Sequence, residues 1–171
     1  MITVTLTWSE ICVATQIATM RRISNLRLGT ARRYGYEDDY NHVWQSEVIS
    51  CLAEMAVAKH LDHFWCGSVG DYSAPDVNPI YEVRSTEWPD GRLILHPEDH
   101  DNAPYILARV NQSKVTLVGW LLGREGKREE WWTSVRPERY SFFVPNDELH
   151  DIGTLANFSL AADDLTLRLE N

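Results

Sequence analysis

The spacing of apolar residues changes period once along this chain, and that change limits the folds open to it. In residues 8–29, Ile11, Ala14, Ile17, Ala18, Ile23 and Leu26 recur at helical spacing, with Ser9 placed to cap the segment and Gly29 to stop it. From His42 to Leu61, a second stripe of Val48, Leu52, Met55, Ala56 and Leu61 includes the run AEMAVAKHL, whose residues favour helix intrinsically. Past a Gly- and Pro-bearing loop at 62–75 the apolar runs shorten and become strand-like, at 77–85, 92–96, 105–110, 115–122 and 140–144. Turn signals separate them: Pro89-Asp90-Gly91, His100-Asp101-Asn102 and Asn111-Gln112-Ser113. Helices first and closely spaced strands after predict an α/β fold, a central mixed sheet flanked by helices and antiparallel in part.

The remaining segments are less periodic. Ile2 to Leu6 alternates as a short half-buried strand or a structured lead into the first helix. Residues 30–41, which include Tyr34, Tyr36 and Tyr40, read as a loop. The charged and then doubly aromatic stretch 124–132 reads as a short helix or a loop over a sheet edge, and 145–149 as a cap with one helical turn. Residues 158–169 keep an apolar alternation that can still belong to the fold.

Composition narrows the class further. At 171 residues, 44% apolar and 24% charged, the expectation is one domain rather than a disordered, collagen-like or disulfide-stapled chain. Three widely spaced cysteines, Cys12, Cys51 and Cys66, suit reduced thiols. With no long apolar window and no basic-then-apolar leader, the expected setting is soluble, unexported and cytoplasmic. The formal charge of -9 argues against indiscriminate coating of nucleic acid. A local site remains open, because residues 20–33 hold Arg21, Arg22, Arg27, Arg32 and Arg33 without an acid. Arg124, Lys127 and Arg128 form a second basic group, diluted by Glu125, Glu129 and Glu130.

The chemistry-bearing stretch is Pro75-Asp76-Val77-Asn78-Pro79-Ile80-Tyr81-Glu82-Val83-Arg84-Ser85. On a strand over 81–85, Glu82 and Arg84 project from one face because side chains alternate, and Asp76 enters from the hairpin start. Neighbouring carboxylates repel, and a hard divalent cation relieves the repulsion. Such an ion polarises a phosphoryl oxygen and acidifies an attacking water, while a nearby guanidinium stabilises charge developing on phosphorus.

These residues resemble the PD-(D/E)xK nuclease superfamily: Pro75-Asp76 and Glu82-Val83-Arg84 match its motif with Arg in place of Lys. The helix Ala53-Glu54-Met55-Ala56-Val57-Ala58-Lys59-His60-Leu61 is similar to the first core helix of small phage-type and bacterial members. The resemblance covers residues 42–122 and extends toward Val144. It implies a restriction-endonuclease-like core at 41–150, after an N-terminal helical extension at 1–40 and before a tail at 151–171. It also implies Mg²⁺ or Mn²⁺ held by Asp76, Glu82, the Val83 carbonyl and Glu54, and a DNA substrate. Arg84 would stabilise charge, the Arg21-to-Arg33 run would hold the DNA backbone, and a homodimer would serve cutting of both strands. Glu47, on the side of Glu54, is a weaker candidate.

Each assignment has a plainer counterpart. Asp76 can be a turn residue, Glu82 a solvent-facing strand residue, Glu54 a solvated helix residue and the arginines a solvated helix face. Arg stays protonated and is a poor general base, so a non-catalytic nucleic-acid-binding or protein-interaction module on the same fold is the alternative function, and an acidic DNA mimic a third. His60, His63 and Cys66 lack the second ligand pair that a structural zinc needs. Trp120, Trp131 and Trp132 read as core or edge cover. Phosphate-loop, dinucleotide-binding and serine-hydrolase motifs are missing from the sequence.

Overall fold

A computed structural model of the chain describes residues 1–29, 40–70, 74–77, 80–136 and 139–158. The short strand β1 (Ile2–Thr5) leads into α1 (Trp8–Leu28). Thr7, not Ser9, caps α1: its hydroxyl accepts from Glu10 N–H at 3.3 Å, while the Glu10 carboxylate takes the Thr7 N–H at 2.6 Å. The capping box requires Glu three positions after the cap, which Thr7 has and Ser9 does not. Gly29 ends the helix as expected, with φ of 68° in the left-handed region that glycine enters without penalty.

The second helix, α2 (Tyr40–Leu61), packs along α1 on one side and against one face of a four-stranded sheet on the other. That sheet has the order β1-β5-β4-β2, with β2 (Glu82–Thr86), β4 (Pro104–Asn111) and β5 (Lys114–Leu122). It is mixed: β2 and β4 run parallel, while β5 is antiparallel to both β4 and β1. The expected mixed α/β character is therefore present. The expected strand at 77–85 begins only at Glu82, because Val77 and Tyr81 close a tight turn through reciprocal backbone hydrogen bonds of 2.9 and 3.0 Å.

A second sheet, which the sequence reading did not anticipate, covers the other face. β3 (Leu93–Leu95) leaves the first sheet and pairs with β7 (Arg139–Val144), which pairs with β6 (Trp132–Arg136), all antiparallel. β6 replaces part of the helix-or-loop reading of 124–132. Its neighbours do follow that reading: α3 (Gly123–Gly126) and a 3₁₀ turn at Glu129–Trp131. The turn at Asn146–Glu148 also forms as read, and Phe158 packs on Trp120 with ring centroids 5.2 Å apart. The loop reading of 30–39 and the tail reading beyond 158 lie outside the described residues.

The central strands are apolar on both sides because both sides are covered. Along β4, Ile106, Ala108 and Val110 face the helices, while Tyr105 and Leu107 enter the core shared with the second sheet. A bulge opposite Leu107/Ala108 inserts Val118 in β5, which sends Val118 and Leu121 to that second core and Trp120 and Leu122 to the first. Trp120 and Trp131 pack in these cores as expected, whereas Trp132 stacks on Tyr140 at the surface. Among the described residues no helix is long and apolar enough to cross a membrane.

The α1 cap also anchors α2, since Lys59 Nζ donates to the Glu10 carboxylate at 2.8 Å and to the Thr5 carbonyl at 3.0 Å. Thr7→Ala should lower the unfolding free energy by about 1 kcal/mol, read by urea denaturation, with the far-ultraviolet spectrum unchanged.

Candidate metal centre at the sheet edge

β2 is an edge strand among the described residues, none of which offers a strand to the backbone groups on its outer side. Asp76 occupies that side: its carboxylate accepts the Val83 N–H at 2.8 Å, which sets it beside the backbone between Glu82 and Arg84. The alternation of β2 then sorts the neighbours. Val83 packs in the helix-side core and Ser85 meets Ser50 of α2 at 3.2 Å, so Glu82 and Arg84 project toward the second sheet.

Arg84 is held there on three sides. Two hydrogen bonds of 2.9 Å run from its guanidinium to both oxygens of Asp99, its Nε donates to the Ile94 carbonyl at 3.2 Å, and it lies 5.0 Å from the Tyr105 ring centroid. Burial pulls its pKa down, but the charges of Asp99, Asp76 and Glu82 and the Asp99 hydrogen bonds outweigh it and raise the pKa, so it is a permanent cation and no base. Asp99 is fixed in turn by the His96 N–H at 2.9 Å, and the Asp99 carbonyl receives Lys127 Nζ.

Glu54 sits on the opposite, helix side. It is buried rather than solvated, and Arg21 of α1 grips both its oxygens at 2.6 and 2.8 Å while Trp65 Nε1 donates at 2.9 Å. Burial pushes the Glu54 carboxyl up to about 7 and the charge of Asp76 adds to the rise, against the pull of Arg21 and Trp65. Burial likewise raises Asp76, against the Val83 hydrogen bond and the charges of Arg84 and Arg21. Asp76 thus stands between two ion pairs, Arg21 with Glu54 and Arg84 with Asp99, and feels both guanidiniums. Glu47, bonded to Asn25 Nδ2 at 3.1 Å, is also raised by burial and lies on the same helix side.

The arginine run divides. Arg21 is committed to Glu54 and to the Ser68 carbonyl at 2.8 Å, Arg22 is buried, and Arg27 is exposed at the end of α1. Arg32 and Arg33 lie outside the described residues. In the second basic group, Lys127 binds the Pro97 carbonyl at 3.0 Å and Asp101 at 2.7 Å, Arg124 binds Asn102, and Arg128 covers the Trp131 ring at 4.6 Å. His63 stacks on Tyr81 with centroids 5.5 Å apart, all three cysteines are free, and burial pushes the Cys51 thiol up to about 12.

Sequence reasoning missed Asp99, Trp65 and Tyr105. Asp99 lies in a Pro-Glu-Asp turn fifteen positions from Arg84, and only the crossing of β3 into the second sheet brings that turn to the edge strand. Among the described residues no group of three or more His, Cys, Asp or Glu is placed to hold a metal ion. Mg²⁺ commonly binds through one or two carboxylates, with water and substrate phosphate completing the shell, and the carboxylates that flank the Val83 backbone here are Asp76 and Glu82. Asp76, with one hydrogen bond among the described residues and a carboxyl raised by burial, is the acid best suited to gain from an added cation. Comparison of the chain with protein-family models, with curated proteins and with solved structures finds no match in any of the three.

Two predictions follow from this charge arrangement. Because Glu54 and Asp76 bind their protons more tightly folded than unfolded, stability of the metal-free chain should fall as pH rises from about 4.5 toward 7. Glu54→Gln should make that fall shallower in urea titrations at successive pH values with EDTA, and an unchanged slope would show that Glu54 does not carry the raised pKa. Asp99→Ala strands the Arg84 guanidinium and should cost roughly 2–4 kcal/mol of unfolding free energy at pH 7, less than a fully buried pair because Arg84 keeps some solvent access.

Proposed function

We propose that the chain is a metal-dependent nuclease that hydrolyses DNA phosphodiester bonds at the outer edge of β2. The observation that carries this reading is the place of Asp76: a half-buried carboxylate on a sheet edge that no other described strand pairs with, bonded to the residue between Glu82 and Arg84 and within electrostatic reach of two guanidiniums. The restriction-endonuclease-like assignment of this core and the Mg²⁺ requirement belong to the same proposal, supported by the motif residues and their order.

In this reading Asp76 and Glu82, with the Val83 carbonyl, would hold a Mg²⁺ or Mn²⁺ ion, which when bound would supply Lewis-acid polarisation of a phosphoryl oxygen and a water of lowered pKa. Glu54 acts on the helix side, where its raised pKa lets it exchange a proton near neutrality. Arg84, always protonated, places positive charge where negative charge builds on phosphorus, and Asp99 fixes the direction of that guanidinium. The exposed Arg27 and the segment bearing Arg32 and Arg33 supply the phosphate-tracking charge that an acidic chain otherwise lacks.

A second reading rests on its own observation. Both Glu54 and Arg84 already spend their charges on internal bidentate pairs, as in a fold that retains the motif as a structural network and binds nucleic acid or protein without cutting.

Cleavage of labelled linear, single-stranded and branched DNA with Mg²⁺ or Mn²⁺ separates the two. The nuclease reading predicts cutting abolished by EDTA and reduced at least about 100-fold in Asp76→Ala and Glu82→Ala, both still folded by circular dichroism. Absence of cutting by the folded wild type on every substrate, with any DNA retention indifferent to Mg²⁺, supports the binding module.

A further inference from the structure

Two large aromatic side chains stand in solvent at opposite ends of β2. Phe64 is 77% and Trp88 73% exposed, although burying such a ring is among the larger apolar gains open to a fold. α2 runs opposite to β2: near its start Gln45 bonds Glu87, further on Ser50 meets Ser85, and past its end His63 stacks on Tyr81. Phe64 therefore lies at the Tyr81 end of β2, and Trp88 lies four residues beyond Arg84 at the other.

Both rings are carried by anchored backbone. The neighbours of Phe64 are tied down, His63 against Tyr81 at 5.5 Å and Trp65 through Nε1 to Glu54 at 2.9 Å. The turn bearing Trp88 folds back on the strand end. The Trp88 N–H donates to Thr86 Oγ1 at 3.1 Å, and the Trp88 carbonyl accepts from the Gly91 N–H at 3.1 Å and from Arg109 Nε at 3.2 Å. A Cβ on Gly91 would collide with the Thr86 side chain, so the turn closes this tightly only with glycine there. Rings held in this way give up little freedom when a ligand lies on them.

We propose that Phe64 and Trp88 bracket a single strand of DNA laid along the outer edge of β2, which makes DNA with unpaired bases the substrate class of the site. What lies between the rings, on the nuclease reading that this placement rests on, is Asp76 on the Val83 N–H with Glu82 and Arg84 beside it. Two observations select the occupant. Stacking on an aromatic side chain needs a base with a free face, which a single strand offers and the interior of a duplex does not. Duplex binding rests instead on cations that neutralise phosphates, and at this edge Arg84 is taken by Asp99 while the exposed Glu87 and Asp90 flank Trp88. Tyr81 to Trp88 spans at most about 23 Å at roughly 3.3 Å per residue, which leaves space for a few nucleotides between the two stacked bases.

Fluorescence anisotropy of a labelled oligothymidylate of about 20 nucleotides, in EDTA so that nothing is cut, reads this directly. The full chain should bind it at least about 10-fold tighter than a duplex of the same length. Phe64→Ala and Trp88→Ala, both folded by circular dichroism, should each weaken binding roughly 10-fold, with Trp88→Phe recovering most of the loss. Trp8→Ala, at a still more exposed position on α1, should bind as wild type. Duplex bound as tightly, no binding of the oligothymidylate, or Phe64 and Trp88 variants that match Trp8→Ala would each overturn the proposal. Failure of hydrolysis is distinguishable: a chain that binds through both rings yet cuts nothing with Mg²⁺ overturns the nuclease reading and supports the strand on this edge, whereas undiminished cutting of duplex DNA by the Phe64→Ala/Trp88→Ala chain overturns only the strand.

Discussion

Charge buried beside an edge strand must be balanced by charge, and here the balance ties the layers together. Arg21 of α1 grips Glu54 of α2, Arg84 of β2 grips Asp99 of the turn after β3, and Asp76 lies between the pairs on the Val83 N–H. Removing one member of such a pair leaves the other's charge desolvated, which costs far more than the pair itself contributes. The helix layer, the edge strand and the second sheet are therefore each connected to the same polar strip.

Among the described residues the fold creates that strip by leaving β2 without a partner strand on one side. β3 departs to the second sheet instead of extending the first, so the outer edge of β2 meets a turn and side chains rather than a strand. Lys127 reinforces the turn by binding the carbonyls of Pro97 and Asp99 and the carboxylate of Asp101. Burial by the helices and by the second sheet raises the proton affinity of Asp76 and Glu54 while two guanidiniums oppose it.

Much of this was legible where a local rule governs. Gly29, the hairpin at Gln112 and the apolar runs of β4 and β5 answer to backbone conformation and two-sided burial, which neighbouring residues reveal. The cap at Thr7 was also readable, through Glu10, and was misplaced at Ser9. β6 was hidden because Trp132 to Arg136 follows a run of alternating charge and gains strand form only by pairing with β7. Within the site, the sequence places Asp76, Glu82 and Arg84 close together because six and two residues separate them along one turn and strand. It is silent on Asp99 and on the Arg21 to Glu54 pair, whose partners meet only through tertiary packing; Arg21 read as a surface charge and is instead half-buried in an ion pair.

The central claim is that the polar strip beside β2 accepts a divalent cation through Asp76 and Glu82. Calorimetric titration of the EDTA-stripped chain with Mn²⁺, in two buffers of different ionisation enthalpy, tests it without requiring turnover. The account predicts saturable binding accompanied by proton release near pH 6.5, since Glu54, held up at about 7 by burial and by the charge of Asp76, loses its proton when a cation offsets that charge, with binding lost in Asp76→Asn and Glu82→Gln. No binding, or binding that both variants leave intact, would contradict it.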